Sequence, residues 1–202
     1  MEMQPKQNSK ETTPKIEIAY RGKMFEIINW EGKPGVMFEA AVRAPGVRLL
    51  IETEKDGMKA LLMTKEVRRE AVGVDYRLPG GKVFDSLSEL DAHRDSGQDI
   101  APVALKAAQK EGKEEAGIDG GDFTSLGVAK AGASVEWDLH YFTVRNAVIG
   151  EQDLEDGEQI QTVVLSAQEI FEKLSNGEVQ EGRSAEKLWV WLAKNNLIDF
   201  KS

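Results

Sequence analysis

The sequence predicts an α/β fold of the mixed α+β kind, in which helices pack on a central mixed β-sheet and an antiparallel sheet element precedes it. Three observations lead there. Strand patterns fill the first half of the chain and helix patterns begin only near Pro102, so regular βαβ alternation is excluded. Two apolar runs, Val47–Thr53 and Lys59–Thr64, flank an Asp56-Gly57 step, which favours a tight hairpin turn. With 202 residues, 41% of them hydrophobic, the chain can bury one core and a small accessory element, but not two full domains.

The elements follow in order. Residues 1–14 are polar with two prolines and only methionines as apolar residues, so they are expected to form a disordered tail. Residues 15–44 make the N-terminal β element. Ile16, Ile18 and Tyr20 alternate as in a strand, Met24–Ile28 reads as its hairpin partner, and Val36–Arg43 follows as a third strand after a Gly- and Pro-containing loop. Residues 45–202 form the main domain. Within it, Tyr76-Arg77-Leu78 leads into Pro79-Gly80-Gly81, and the polar stretch from about 82 to 101 reads as an inserted loop with room for one helical turn. A helix is expected from Pro102 to Ala116, with Gly117 at its left-handed stop. Strand patterns return over 123–149, best in Leu139–Val144, and 151–158 reads as an exposed acidic loop. Ile160–Leu165 is a strand, and Ser166-Ala167-Gln168-Glu169 is a capping box that opens a helix. A last helix is expected from about Ser184 to Asn195, its Leu188, Trp189, Trp191 and Leu192 serving the core.

Charge and composition exclude several functions. A formal charge of −9 disfavours nucleic acid as a partner, although a bound metal can reverse the field locally for a small anion. There are no cysteines, hence no disulfide framework, thiol nucleophile or thiolate metal site. No apolar run approaches the length of a membrane span and no leader pattern opens the chain, so no membrane role and a cytoplasmic setting are expected.

The informative chemistry lies in Lys110–Ile118. On a helix, Glu111, Glu114 and Glu115 sit at i, i+3 and i+4 and crowd one face. They repel one another and stand in the last turn, where the helix dipole disfavours anions. A divalent cation would resolve the conflict, because hard metals take carboxylate oxygens. A solvated helix end is the competing account of the triplet. Upstream, the paired glycines of Leu78-Pro79-Gly80-Gly81-Lys82 follow a strand and allow backbone to approach a metal or phosphate closely.

This arrangement resembles the Nudix box, G-x5-E-x7-R-E-U-x-E-E-x-G-U, with U aliphatic. Gly81 matches the opening glycine, and Glu111, Glu114, Glu115, Gly117 and Ile118 match the second half. Lys110 replaces the arginine, Gly112 replaces U, and Pro102 stands where the first glutamate is expected. Lys110 lies 29 positions after Gly81, where the pattern has 14, so the stretch between them carries an insertion. The order of elements is similar to the branch of the family that hydrolyses ADP-ribose and nucleotide sugars. Gly132–Glu136, Asp156–Ile160 and Gly182-Arg183-Ser184 carry weaker matches to it.

The resemblance implies a Nudix-like α/β/α sandwich and Mg²⁺-dependent hydrolysis of the diphosphate bond of ADP-ribose or a nucleoside diphosphate sugar, with Mn²⁺ a possible substitute. It implies Glu111, Glu114, Glu115 and the Gly80 carbonyl as metal ligands, and a homodimer formed through exchange of the N-terminal element. The base is sought in Glu158 or Asp156 of the acidic loop, with Glu136 assisting, though each is equally an exposed carboxylate. Tyr20 and Trp30 are candidates to stack on a base, and Gly81 to approach the substrate; core packing is the competing role for the aromatics. His93 and His140 are expected to be exposed and packed, respectively. Hydrolysis of other nucleotides, such as nucleoside triphosphates or dinucleoside polyphosphates, and catalytically silent sensing of nucleotide sugars are the alternatives.

Overall fold

The computed structural model describes residues 14–197, apart from 70, 72 and 156. The expected tail, save Pro14, therefore lies outside the described residues. The first sheet pairs β1 (Ile16–Arg21), β2 (Phe25–Lys33) and β3 (Val36–Arg43) antiparallel, and the short β9 (Val135–Glu136) adds to β3 in parallel. Its small interior is Ile28, Ala40 and Val42, with Trp30 packed against them.

The central sheet is mixed. It contains β4 (Gly46–Lys55), β5 (Met58–Val67), β8 (Asp122–Ala129), β10 (Leu139–Arg145) and β12 (Gln161–Ser166), in the order β12-β5-β4-β10-β8; β6 (Val74–Arg77) also pairs with β5. Only β4 and β10 run parallel among these pairs. The hairpin between β4 and β5 turns on Asp56 and Gly57, both with positive φ (54° and 74°), as the sequence predicts. A separate small ribbon pairs β7 (Ile118–Asp119) with β11 (Val148–Ile149).

Two apolar clusters lie on opposite faces of the central sheet. Val47, Leu49 and Ile51 of β4 face α2 (Ala101–Ala116), whereas Leu50 faces α3 (Ala167–Ser175) and α4 (Gly182–Lys194). The period of two sends successive strand side chains to alternate faces and yields three layers, helix on sheet on helices. Helix α2 presents Ala104, Ala108, Gly112 and Ala116 at intervals of four, all buried, so its axis comes close to β4. Gly112 therefore stands on the packed side of the helix, where its small size serves close approach. The capping box at Ser166 and Glu169 forms as expected.

The inserted stretch departs from expectation. It holds a ten-residue helix, α1 (Leu87–Ser96), rather than a loop with one turn. The Ser86 hydroxyl accepts from the Glu89 amide, and Gly97 closes the helix at φ 66°. Only Leu87 and Leu90 are buried, against Ala44 and Phe84, so no apolar stripe marks this helix in the sequence. Its start also ties to the first sheet: the Leu87 amide donates to the Lys23 carbonyl at 2.9 Å, and Arg21 pairs with Asp91.

Candidate active site

The end of α2 and the Pro79-Gly80-Gly81 turn enclose a cavity of about 450 Å³ that Glu111, Glu114 and Glu115 all line. Gly80 has φ 143°, and a β-carbon there would lie 2.2 Å from the Val47 carbonyl oxygen. A β-carbon on Gly81 would lie 2.2 Å from Oε1 of Glu111. The turn thus needs glycine at position 80 to pass β4, whereas a side chain at 81 would displace the Glu111 carboxylate. The Gly80 amide donates to Oε2 of Glu115 at 2.7 Å, and the Lys82 amide donates to Oε1 of Glu111 at 3.2 Å.

The three glutamates are not equivalent. Glu115 is buried, and desolvation pushes its pKa up to about 7, aided by the neighbouring Glu111 charge and opposed by the Gly80 amide and Arg48. Desolvation also raises the pKa of Glu111. Glu114 pairs instead with Lys110 at 3.0 Å. Lys110 also faces Glu155 at 3.9 Å, so it takes its carboxylates from α2 and the acidic loop, in the absence of a glutamate at position 102. Among the described residues no three carboxylates or histidines converge closely enough to enclose a metal ion as they stand. Two mutually repelling carboxylates, one buried and one half-buried, beside a backbone turn nonetheless suit a hard cation, and Glu111 and Glu115 are the groups that would hold it, with Glu114 alongside in the same cavity. The Gly80 carbonyl accepts from Nη1 of Arg48 at 2.9 Å.

Arginines line the cavity together with the glutamates: Arg43, Arg48, Arg68 and Arg77. Burial lowers the pKa of Arg43, and Arg48, Arg68 and Arg183 lower it further by repulsion. The Arg43 Nε is buried without a hydrogen-bond partner. Its guanidinium lies 4.3 Å from the Trp137 ring centroid, Arg183 lies 4.4 Å from the same ring, and Arg43 also covers Phe25 at 5.2 Å. Arg48 is buried and donates to the Val47 and Gly80 carbonyls and to Glu181 at 3.2 Å. Burial alone would raise the pKa of Glu181, but Arg48, Ser184 and Arg183 outweigh it and hold the carboxyl below its usual range.

The acidic loop joins this site through backbone contacts. The Gln152 amide group donates to the Glu115 carbonyl at 2.6 Å, and the Asp153 amide to the Glu114 carbonyl at 3.0 Å. These bonds satisfy carbonyls left open at the end of α2. Glu155 and Glu158 line the cavity, and the Glu158 carboxylate accepts from the Glu155 amide at 3.1 Å. Asp156 lies outside the described residues. Glu136 is not brought to the glutamates; it lines a neighbouring chamber. Tyr20 is exposed on β1, and Trp30 stacks on Phe38 at 5.6 Å; neither lines the cavity. Gly81 does.

The sequence reading missed Arg43, Arg48, Trp137 and Glu181. Arg48 carried a signal, a cation inside the apolar run of β4. Arg43 and Trp137 carried none, since only the tertiary fold stacks them.

No protein-family model matches the chain, and no curated protein sequence does. Among solved structures, that of an ADP compounds hydrolase is similar, with a TM-score of 0.64 and 17% identity over 95% of this chain and 100% of that one. Likeness at that identity establishes fold. The fold is Nudix-like. Its mixed central sheet between helical layers is the α/β/α sandwich that the sequence predicts.

Proposed function

We propose that the protein hydrolyses the diphosphate bond of ADP-ribose or of a nucleoside diphosphate sugar, giving a nucleoside monophosphate and a sugar phosphate. The observation that carries this reading is one cavity lined by two mutually repelling carboxylates, Glu115 buried and Glu111 half-buried, together with four arginines. Arginines recognise phosphate oxygens, while the carboxylates are suited to a metal counter-charge. A bound Mg²⁺, or Mn²⁺ in its place, would neutralise phosphate charge and acidify water at the site. The Arg43 guanidinium, which lines the cavity, would hold a phosphate oxygen. Arg48 positions the Gly80 turn and Glu181. Glu158 is the described loop carboxylate best placed to accept a proton from water, since it lines the cavity and is exposed.

The test is incubation with ADP-ribose, GDP-mannose, UDP-glucose and dATP, with and without Mg²⁺, following phosphomonoester products and using Glu115→Gln as control. Metal-dependent turnover of a diphosphate sugar that collapses in the variant supports the reading. Turnover of dATP alone moves the protein to another nucleotide substrate. Binding without turnover makes it a sensor, and the Lys110–Glu114 pair would then be the reason to examine first.

A homodimer is part of the same reading. Ile16, Ile18 and Tyr20 of β1 and Met37 of β3 are each more than half exposed, an apolar surface suited to a second copy of the chain. Sedimentation giving a monomer at micromolar concentration would remove this part. No helix among the described residues is long and apolar enough to cross a membrane.

A further inference from the structure

Beside the glutamate cavity lies a second chamber, of about 820 Å³. Arg43 and Pro45 line both, so the two spaces meet at the end of β3. One wall comes from the insertion: Leu90, His93 and Arg94 of α1, then Gln98, Asp99 and Ile100. The facing wall comes from the ends of β8 and β10 and from β9, with Val128, Lys130, Val135 and Glu136, and then Asp138 and His140.

The chemistry of these walls selects among ligands. Lys130 faces Asp138 at 3.1 Å and Arg94 faces Asp91 at 4.0 Å, so neighbouring carboxylates offset part of the positive charge of these walls. Asp99, Glu136 and Asp138 supply carboxylate acceptors, which suit hydroxyl donors and balance Arg43, Arg94 and Lys130 in the same lining. No Phe, Tyr or Trp is among the described lining residues, so no broad aromatic face is offered to a nucleobase. His93 adds a buried Nε2 with no hydrogen-bond partner, its ring held against Phe84 at 5.3 Å. An unpaired polar atom of this kind costs free energy until a ligand or water meets it.

We propose that this chamber is the subsite for the uncharged, hydroxyl-rich group joined to the diphosphate, and that α1 is the element that selects it. The inference rests on the proposed diphosphate hydrolysis. A substrate would lay its diphosphate between the glutamates and the arginines, pass Arg43, and place its glycosyl group between α1 and the ends of β8 and β10. The insertion that separates Gly81 from Lys110 thereby becomes a specificity wall.

The chain's two histidines, His93 and His140, both line the chamber, so their imidazole resonances report its occupancy directly. The experiment titrates the full-length protein with pyrophosphate, ADP and ADP-ribose, with Mg²⁺ and with EDTA. Histidine spectra and hydrolysis are recorded in parallel. Both resonances are expected to shift with ADP-ribose and with neither pyrophosphate nor ADP. Hydrolysis of ADP-ribose without histidine shifts overturns the chamber assignment and leaves the proposed reaction standing. Shifts without metal-dependent hydrolysis overturn the reaction and leave the chamber as a sugar-binding site. Shifts as large with ADP assign the chamber to the nucleoside and overturn the proposal. Neither shifts nor hydrolysis overturns both. As a second arm, Val128→Trp places bulk in the chamber from a strand position that is 46% exposed. It is expected to lower the ratio of kcat/KM for ADP-ribose over ADP by about 10-fold or more; an unchanged ratio refutes the assignment.

Discussion

Glu115→Gln removes one charge from a buried site and leaves its shape intact. In the metal-free protein the Glu115 carboxyl has its pKa raised from 4.5 to about 7, chiefly by desolvation. The unfolded chain therefore releases this proton near pH 4.5 and the folded chain near pH 7. Between those values the folded state binds more protons than the unfolded one, so stability falls as pH rises. The penalty is absent below pH 4.5 and complete above pH 7. A shift of 2.5 units amounts to about 3 kcal/mol. The glutamine keeps an oxygen to accept from the Gly80 amide, so the variant should be more stable than the parent by about 3 kcal/mol at pH 8 and similar near pH 4.5. Glu111 titrates in the same direction and leaves a residual slope in both proteins. Urea denaturation in EDTA from pH 4.5 to 8.5 measures the difference. Added Mg²⁺ should close the gap at pH 8 by stabilising the parent alone. A difference that does not vary with pH, or a variant less stable at pH 8, refutes the account of Glu115 as a buried carboxylate awaiting a counter-charge.

Further substitutions test the supports of the site. Arg48→Met takes one of three partners from the half-buried Glu181 carboxylate, which keeps Ser184 and Arg183, and removes the donor to the Gly80 carbonyl; a loss of about 1–3 kcal/mol is expected in urea denaturation, partly recovered by adding Glu181→Gln. Gly80→Ala drives a β-carbon into the Val47 carbonyl and should cost at least about 2 kcal/mol, with loss of activity. Lys110→Ala breaks a largely exposed pair, so stability should change by less than about 1 kcal/mol, while Mg²⁺ binding followed by calorimetry tightens as Glu114 is released. Leu87→Ala withdraws one of only two buried anchors of α1 and should make that helix the first site of limited proteolysis.

What the sequence revealed tracked how local the signal was. The Asp56-Gly57 turn, the Ser166 capping box and the glutamate-bearing helix each declare themselves within a few residues, and each forms. Helix α1 did not declare itself, because its two leucines meet Ala44 and Phe84 rather than a continuous apolar face. The group of arginines was hidden for another reason. Arg43 ends β3, Arg48 lies in β4, Arg68 follows β5 and Arg77 ends β6, so nothing short of the assembled fold gathers them. Trp30 illustrates the converse: an aromatic residue that invites a ligand in the sequence stacks on Phe38 in the structure. The histidines, read one by one as exposed and packed, gain meaning only from facing a common space.

The position of Arg43 bears on how such a protein can be cut and recombined. It is the last residue of the first sheet, and its guanidinium reaches over Phe25 on one side and Trp137 on the other. The glutamates it faces belong to the other sheet's helix. A fragment beginning at Pro45 would keep the Gly80 turn and all of α2 yet lose the cation shared by the two spaces, together with the Lys23 carbonyl that holds the start of α1. The N-terminal strands are therefore not a detachable appendage, and a chimera that exchanges them exchanges part of the lining of both cavities with them.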